Sequence, residues 1–399
     1  MKKLIIISII ALNIKFVYCQ QISKSIIKLP DTGQNISYTN TFGEDNDISI
    51  FPPFFEVFAN GTLRDTVTGL MWQQIDGGEM TIENATIYCD TLGLGGYNDW
   101  RLPTALEAFT ILNHQHANPA LDPAIFPTSA AEYWWTSNRQ ANDSSKVWAT
   151  NAGGGIGNHP KSETISAGGI KKFHVRAVRD IVSAQLIVNR FIDNLDGTIT
   201  DNLTNLIWQK NIITDTLSWE EALNYSNTLT LAGKNDWRLP NIKELRSLND
   251  EFLVNPSLNS NFFIGNTIQK FWSSTTLPNQ ASKAWFYDTH FGITTYYLKT
   301  HKIQLICVRG GNDEVSSIIN KTTADAQIKV FPNPASNFIE IDNSTNSLVI
   351  NTKITNTCGE TIINSISNKI DTSLLLNGMY YVEFLSDMCS YRTKLLVIH

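Results

Sequence analysis

The sequence predicts an α+β fold in which two tandem copies of one module precede a smaller all-β domain. The pentapeptide Asp-Trp-Arg-Leu-Pro at 99–103 returns at 236–240, a spacing of 137 positions. The same spacing relates Trp-Thr-Ser at 135–137 to Trp-Ser-Ser at 272–274. Solenoid units are roughly 20 to 50 residues long. Each copy here is much longer and can own a hydrophobic core.

Each module is predicted to begin with a β-hairpin. In the second copy, Asn194–Asp201 contains the turn signal Asp196-Gly197 between β-forming segments. Asn60-Gly61-Thr62 takes the same place in the first copy, at a shift of 136. A single insertion or deletion therefore separates the hairpin from the rest of the repeat.

Two helices are predicted to follow the hairpin. Ser218 and Glu221 form a capping box ahead of an apolar stripe at helical spacing. The stripe residues are Trp219, Ala222, Leu223, Ser226 and Leu229, with Ile82, Ala85, Thr86, Cys89 and Leu92 in the first copy. After the pentapeptide, the segments 104–107 and 241–244 each read as a capping box that opens a second helix. Each module then closes in alternating segments, predicted as strands, at Phe173–Arg179 and Ile303–Arg309.

The end of the chain differs from both modules. Asn312–Asp325 is polar and aperiodic, which predicts a linker, and short alternating blocks with turn signals follow it. The predicted divisions are a signal peptide at 1–19, a first module at 20–181, a second module at 182–311, a linker at 312–325 and an all-β sandwich at 326–399.

The first residues resemble a secretory signal. Lys2 and Lys3 precede the apolar run Leu4–Leu12, and cleavage is predicted between Cys19 and Gln20. The run is too short to span a bilayer, which needs about 20 apolar residues, and no later stretch qualifies. We therefore expect an exported chain with no transmembrane segment in its mature form.

The charge balance argues against a nucleic-acid partner. Loss of the three lysines in the signal leaves 28 basic against 37 acidic residues, a formal charge of −9. An acidic field repels phosphate backbones, and no nucleic-acid-binding motif is recognisable.

The repeated motifs resemble the Lcl C-terminal domain family. The resemblance rests on Asp-Trp-Arg-Leu-Pro, on the preceding Leu-Met-Trp-Gln or Leu-Ile-Trp-Gln, on the Trp-Thr-Ser block and on the closing Val-Arg. It covers about residues 28–310, including Leu29-Pro30-Asp31-Thr32-Gly33-Gln34. It implies a C-type-lectin-like fold, related to formylglycine-generating enzymes, and an adhesin-like surface role with a glycan ligand. Fold analogy alone does not transfer an activity.

The last domain resembles the C-terminal sorting domain of type IX secretion substrates. The motifs are Val330-Phe331-Pro332-Asn333-Pro334, Asn356-Thr357-Cys358-Gly359, Leu376-Asn377-Gly378-Met379-Tyr380 and the terminal 394–398. The resemblance implies handling by the type IX machinery and a place outside the cell, or on the outer-membrane surface, of a Bacteroidota-type bacterium.

Two groups of side chains are candidate binding residues. Lys161, Lys171, Lys172 and Arg176 could meet an anionic glycan, although we favour the alternative that they are solvated charges beside a terminal strand. Asp193, Asp196 and Asp201 are weak candidates for calcium, the one cofactor left open, because the glycine-containing turn already accounts for the first two.

No catalytic set is visible in the sequence. Glu107 and Glu244 occupy one position of the repeat and could be general acids, but their capping boxes already explain them. Trp100 and Arg101 could form a ligand shelf, whereas we favour a core tryptophan and an arginine that satisfies buried carbonyls or pairs with Asp99.

The four cysteines that follow the predicted cleavage site divide into two pairs. Cys89 aligns with Ser226 and Cys307 with Ala177, so the two are either buried thiols or, less favoured, a bridge across the repeats. Cys358 and Cys389 are closer candidates for a disulfide within the sandwich.

Three functions remain open. The first is a secreted or cell-surface binding protein with a polysaccharide ligand, in which two weak sites gain from tethering. The second is a secreted hydrolase or modifying enzyme that acts on glycan or protein. The third is a structural component of the envelope or matrix.

Overall fold

The computed structural model describes residues 22–127, 133–162, 170, 172–183, 185–187, 189–310, 329–342, 349–356, 361–365, 367, 369–386 and 390–399. The predicted signal peptide and its cleavage site between Cys19 and Gln20 lie outside the described residues, as does the predicted linker at 312–325. The chain divides into two compact units, Met1–Asp313 and Glu314–His399. Both repeats belong to the first unit.

The described part of the first unit starts with strand β1 (Ile22–Lys24), which is followed by a long irregular segment, residues 25–53, which we call the strap. The Asp31 carboxylate accepts the backbone N–H groups of Ile50 at 2.7 Å and Phe51 at 2.8 Å, which closes the strap into a loop. A short 3-10 helix, Asp45–Asp47, lies near its far end. Gln34 connects the loop to both repeats, because its side-chain amide donates to the carbonyl oxygens of His114 (3.1 Å) and Thr276 (2.6 Å).

The first repeat contains two sheets. The hairpin sheet consists of β2 (Phe55–Val57), β3 (Thr62–Asp65), β4 (Leu70–Gln73) and β10 (Val178–Asp180), in the order β10-β4-β3-β2. The second sheet consists of β5 (Glu79–Met80), β6 (Tyr133–Gln140), β7 (Asp143–Asn151), β8 (Ile156–Pro160) and β9 (Phe173–His174), in the order β5-β9-β6-β7-β8. All pairs are antiparallel except β6 with β9.

The second repeat follows the same plan. Strand β11 (Gln185–Ile187) pairs with β1 at the junction. The hairpin sheet consists of β12 (Phe191–Asp193), β13 (Thr198–Asp201), β14 (Leu206–Gln209) and β18 (Val308–Gly310), joined in that order. The second sheet consists of β15 (Lys270–Thr276), β16 (Lys283–Asp288) and β17 (Ile293–Leu298). The predicted hairpin at Asn194–Asp201 is therefore confirmed.

Four helices occupy the predicted places: α1 (Ile82–Thr91), α2 (Ala105–Thr110), α3 (Trp219–Thr228) and α4 (Ile242–Ser247). The capping boxes predicted for α2, α3 and α4 are all present. Helix α1 is instead capped by Thr81, whose hydroxyl accepts the backbone N–H of Asn84. The buried residues of α1 and α3 belong to the predicted stripes, so helical periodicity identified the correct face.

The predicted closing strands are shorter than expected. The segment Phe173–Arg179 is divided between β9 and β10, which lie in different sheets. Residues 175–177 cross between the sheets and are buried. In the second repeat, Ile303 and Gln304 form isolated bridges before β18 begins at Val308. Alternation therefore identified extended backbone but missed the change of sheet.

Each repeat has a private apolar core, and a third core is common to both. Trp100 and Trp135 lie in the first private core, and Trp237 and Trp272 lie in the second. The shared core joins residues of the first repeat to their counterparts in the second. It includes Trp72, Phe109, Trp134 and Trp148 with Trp208, Leu245, Leu248 and Trp285. The two repeats are therefore held together by apolar packing and not only by the chain segment that connects them.

The C-terminal unit is all β among its described residues. One sheet consists of β19 (Lys329–Phe331), β20 (Phe338–Asp342) and β23 (Lys369–Asp371), in the order β19-β20-β23. The other consists of β21 (Val349–Asn356), β22 (Thr361–Ser365), β24 (Gly378–Ser386) and β25 (Ser390–Val397), in the order β22-β21-β24-β25. Ile339, Ile354, Val382 and Leu395 belong to one apolar core. Two sheets around a common core agree with the predicted sandwich.

Candidate functional site

The arginine of the repeated pentapeptide ties its loop to the following helix. Arg101 donates two hydrogen bonds of 2.8 Å to the two carboxylate oxygens of Glu107, and Arg238 makes the same pair of bonds to Glu244 at 2.6 Å. Burial raises the pKa of Glu107, but the hydrogen bonds and charge of Arg101 outweigh burial and leave that pKa below its usual value. A carboxylate that is ionised and accepts two hydrogen bonds from an arginine stabilises the fold and has no proton to donate.

The alternative pairing of Arg101 with Asp99 is wrong. Asp99 accepts from Arg179 at 2.6 Å, and Asp236 accepts from Arg309 at 2.8 Å in the same way. The pentapeptide's aspartate therefore holds the closing strand, while its arginine holds the helix. The tryptophan before each arginine is buried and donates its indole N–H to a backbone carbonyl at 3.2 Å, so it belongs to the core.

Of the basic residues singled out in the sequence, Arg176 does not lie on the surface. Arg176 is only 2% exposed and donates to the carbonyl oxygens of Gln73 and Gln74. Burial lowers its pKa to about 10, although Asp76 opposes the shift. The Nζ atom of Lys161 lies 3.9 Å from the Oε1 atom of Glu83, so the two form an ion pair. Lys172 is exposed, and Lys171 lies outside the described residues. Arg176 is therefore removed from the candidate glycan-binding group, because it satisfies carbonyls in the interior.

The carboxylates considered for calcium do not converge. Asp193 pairs with Lys210, and Asp196 accepts the backbone N–H and the hydroxyl of Thr198. Asp201 forms a buried ion pair with Arg190 at 3.0 Å. Among the described residues, no cluster of three or more His, Cys, Asp or Glu side chains is placed to hold a metal ion. Each carboxylate is thus bound by its own neighbours.

Cys89 and Cys307 are buried free thiols, so the alternative of a bridge across the repeats is wrong. They lie in the two different private cores. Burial raises the pKa of each thiol to about 12. Cys358 and Cys389 lie outside the described residues, and their disulfide stays a prediction.

The strap forms one wall of a cleft that sequence reasoning missed. The cleft has a volume of about 440 Å³ and lies between the strap and the segment that follows α2. Its polar lining includes Asn35, Asn46, Ser49, Asn113 and Asp122. Phe54 also lines it, with 61% of its surface exposed, whereas its neighbour Phe55 packs edge-on against Phe126. We call this cavity the strap cleft.

Asp45 is a buried carboxylate among the residues that line the strap cleft. It is 6% exposed, and one of its oxygens accepts the hydroxyl groups of Thr32 (2.8 Å) and Thr275. Burial raises its pKa to about 7, against the opposing effect of those two hydrogen bonds. The carboxylates of Asp31 and Glu244 raise it further. A carboxyl group with such a pKa in a cleft marks a candidate functional site.

Lys243 supports the same region from the second repeat. Its ammonium group is buried and donates to the carbonyl oxygens of Asp31 at 2.8 Å and Thr110 at 2.7 Å. Burial lowers its pKa to about 8, although nearby carboxylates oppose the shift. The repeat comparison gave no signal for Lys243, since its counterpart in the first repeat is Leu106.

Taken together, the fold defines a class: a β-rich protein with a fused tandem repeat, a cleft bordered by its N-terminal strap, and a separate all-β C-terminal unit. None of the helices in the described part of the chain has the length and apolar character needed to cross a bilayer.

The chain belongs to the Lcl C-terminal domain family, whose model matches residues 61–179 and again 197–309. Residues 329–398 match the secretion system C-terminal sorting domain. Such a domain marks a substrate of type IX secretion, so the protein is secreted or displayed at the cell surface, as is typical of Bacteroidota. No curated protein matches the chain.

Proposed function

We propose that this secreted or cell-surface protein is an adhesin-like binding protein that takes a glycan in the strap cleft. The observation that carries the proposal is the exposed ring of Phe54 beside amide and carboxylate groups. A flat aromatic face suits the C–H face of a sugar ring. Asn113 and Asp122 offer donors and acceptors for hydroxyl groups. A volume of about 440 Å³ holds a small ligand.

A polysaccharide screen of the full chain, scored for both retention and cleavage, tests this function. Phe54→Ser should weaken retention at least about tenfold, because a stacked ring is lost. Phe252→Ser is the matched control, since that ring is 72% exposed in the other repeat. Equal retention by the two variants would remove the strap cleft as the glycan site.

A specific observation favours a second candidate, a secreted hydrolase. Asp45 has a pKa of about 7 and lines the strap cleft, so near neutral pH it can hold a proton for a leaving group. In the same screen, oligosaccharide released by the parent chain and not by Asp45→Asn would replace the binding proposal with this one.

The C-type-lectin-like origin of the repeats is also a proposal. It is supported by the pairs of short helices beside mostly antiparallel sheets. We likewise propose the division at 20–181, 182–311, 312–325 and 326–399. Limited proteolysis should cut within 312–325 and leave the fused repeats intact, whereas an early cut near residue 182 would contradict this division.

A further inference from the structure

The charged side chains that line the strap cleft are all acidic. Asp31, Asp45 and Asp122 lie on its wall, and no lysine, arginine or histidine is among the described residues that line it. Lys243 approaches Asp31 from the interior, but it is 1% exposed and donates to two carbonyl oxygens, so it does not reach the cleft. A charged ligand group in this cleft therefore meets negative charge.

These three carboxylates lack a positive partner of their own. Within the described part of the chain, none of them forms an ion pair, whereas the buried carboxylates of Asp201 and Glu244 are each paired with an arginine. A buried carboxylate is stabilised when a cation lies beside it. A cationic ligand group would therefore supply what the protein provides at the other two sites.

Asp45 leaves one acceptor unused. Its Oδ2 atom accepts the hydroxyl groups of Thr32 and Thr275, whereas its Oδ1 atom accepts no hydrogen bond from the described residues. The side chain is 6% exposed and lines the cleft, and Oδ1 is not among the unpartnered polar atoms that are sealed from solvent. A largely buried acceptor of this kind needs a donor from water or from a ligand, and an ammonium group donates three hydrogens.

Asp122 carries a charge that its turn does not require. Its counterpart, 137 positions later, is Asn259. Both residues use Oδ1 to accept a backbone N–H two positions ahead, at 2.9 Å for Asp122 and 3.1 Å for Asn259. An asparagine therefore makes the same turn, and the turn alone does not explain the carboxylate at the mouth of the first repeat.

We propose that the strap cleft selects glycans that carry free amino groups, which bind as ammonium ions beside Asp45 and Asp122. This inference rests on the proposed function and names its ligand class. The exposed ring of Phe54 suits the same ligand, because an aromatic face attracts a cation as well as the C–H face of a sugar. The same carboxylates disfavour a sulfated or carboxylated glycan in this cleft.

The test compares two disaccharides with one backbone and different charge, β-1,4-linked glucosamine and its doubly N-acetylated form. Each is titrated into the full chain at pH 6, where the amino groups carry their protons, and binding is followed by calorimetry. We expect the amino form to bind at least about tenfold more tightly than the acetylated form, since charge-assisted hydrogen bonds form only with the ammonium groups. Phe54→Ser should weaken the binding of both forms.

Two aspartate-to-asparagine variants separate the charge of the cleft from the charge of the whole protein. Asp122→Asn should reduce the preference for the amino form about fivefold, the effect of one partly exposed ion pair. Asp196→Asn is the matched control, because Asp196 lies on the hairpin turn of the second repeat and its counterpart Asn60 accepts the same two hydrogen bonds from Thr62. This control should keep the preference of the parent.

Equal or tighter binding of the acetylated form by the parent would overturn the inference. An unchanged preference in the variant that carries both Asp45→Asn and Asp122→Asn would do the same, as would a lack of binding by both disaccharides. In each case the proposed function stands if Phe54→Ser still weakens retention in the polysaccharide screen. If the loss of this ring has no effect there, the strap cleft is not a glycan site and both ideas fail together.

Discussion

The pH dependence of stability tests the buried contacts that Asp45 makes between the strap and the second repeat. The pKa of Asp45 lies near 7 in the folded protein, against 3.8 for the free side chain. The folded state therefore holds a proton that the unfolded state has lost, and stability falls as the pH rises from about 4 to about 7. At 1.36 kcal/mol per unit, this shift corresponds to at most about 4 kcal/mol.

Replacing Asp45 with Asn removes the titration and keeps an oxygen that can accept the hydroxyls of Thr32 and Thr275. The variant should be less stable than, or equal to, the parent near pH 4 and more stable by up to about 4 kcal/mol above pH 7. The groups facing Asp45 also titrate, chiefly Asp31 and Lys243. Both proteins contain Asp31 and Lys243, so most of the contribution of these groups cancels when the unfolding free energy of the parent is subtracted from that of the variant.

The assay is urea unfolding followed by tryptophan fluorescence at several pH values from 4.5 to 8. All ten tryptophans lie between residues 72 and 285, so the signal reports on the fused repeats alone. Asp90→Asn, at an exposed position of α1, controls for loss of a carboxylate. Parallel stability profiles for the parent and Asp45→Asn would refute the argument that this carboxyl is protonated in the fold.

Two other predictions follow from the repeat and its cysteines. Glu244→Gln should lower the free energy of unfolding of the fused repeats by about 3 kcal/mol or more, because it leaves the buried Arg238 without its carboxylate. Glu107→Gln should cost about half as much, since Arg101 is partly exposed and keeps its pairing with Asp180. Equal losses for the two variants in denaturant titrations would contradict this. Cys89 and Cys307 should resist alkylation in the native protein at pH 8 and react once it is unfolded, as read by intact mass, because burial keeps both thiols protonated. Rapid native modification of either thiol would show that its core is open.

The sequence predicted the parts of the fold that local chemistry determines. The capping boxes at Thr104, Ser218 and Asn241 fix helix starts through side chains a few residues apart, so they are visible without tertiary information. Arg176 was grouped with solvated charges because its segment was expected to be a single closing strand, whereas the chain crosses there between two sheets. Periodicity does not indicate where a strand changes sheets.

The candidate site was not predictable for a different reason. The strap has no counterpart in the second repeat, so the internal comparison that located the hairpins and helices of both repeats gave no information about it. Asp45 lies in a polar segment typical of an exposed loop, and only long-range contacts bury it. The shared core was not predictable either. Trp148 and Trp285 occupy equivalent positions of the two repeats, as residues of the private cores also do, so the comparison does not show which of them pack between the repeats.

The strap also sets an order of events for folding. It precedes almost all of its partners in the chain: the hydroxyl of Thr275 that binds Asp45 comes 230 residues later, and the Thr276 backbone comes 242 residues after Gln34. Closing so long a loop is slow and carries an entropic cost that only the finished contacts offset. In a chain emerging N-terminus first, the strap can bond to itself and to the first repeat, through Asp31 with Ile50 and Gln34 with His114, but its contacts with Thr275 and Thr276 must wait for the second repeat.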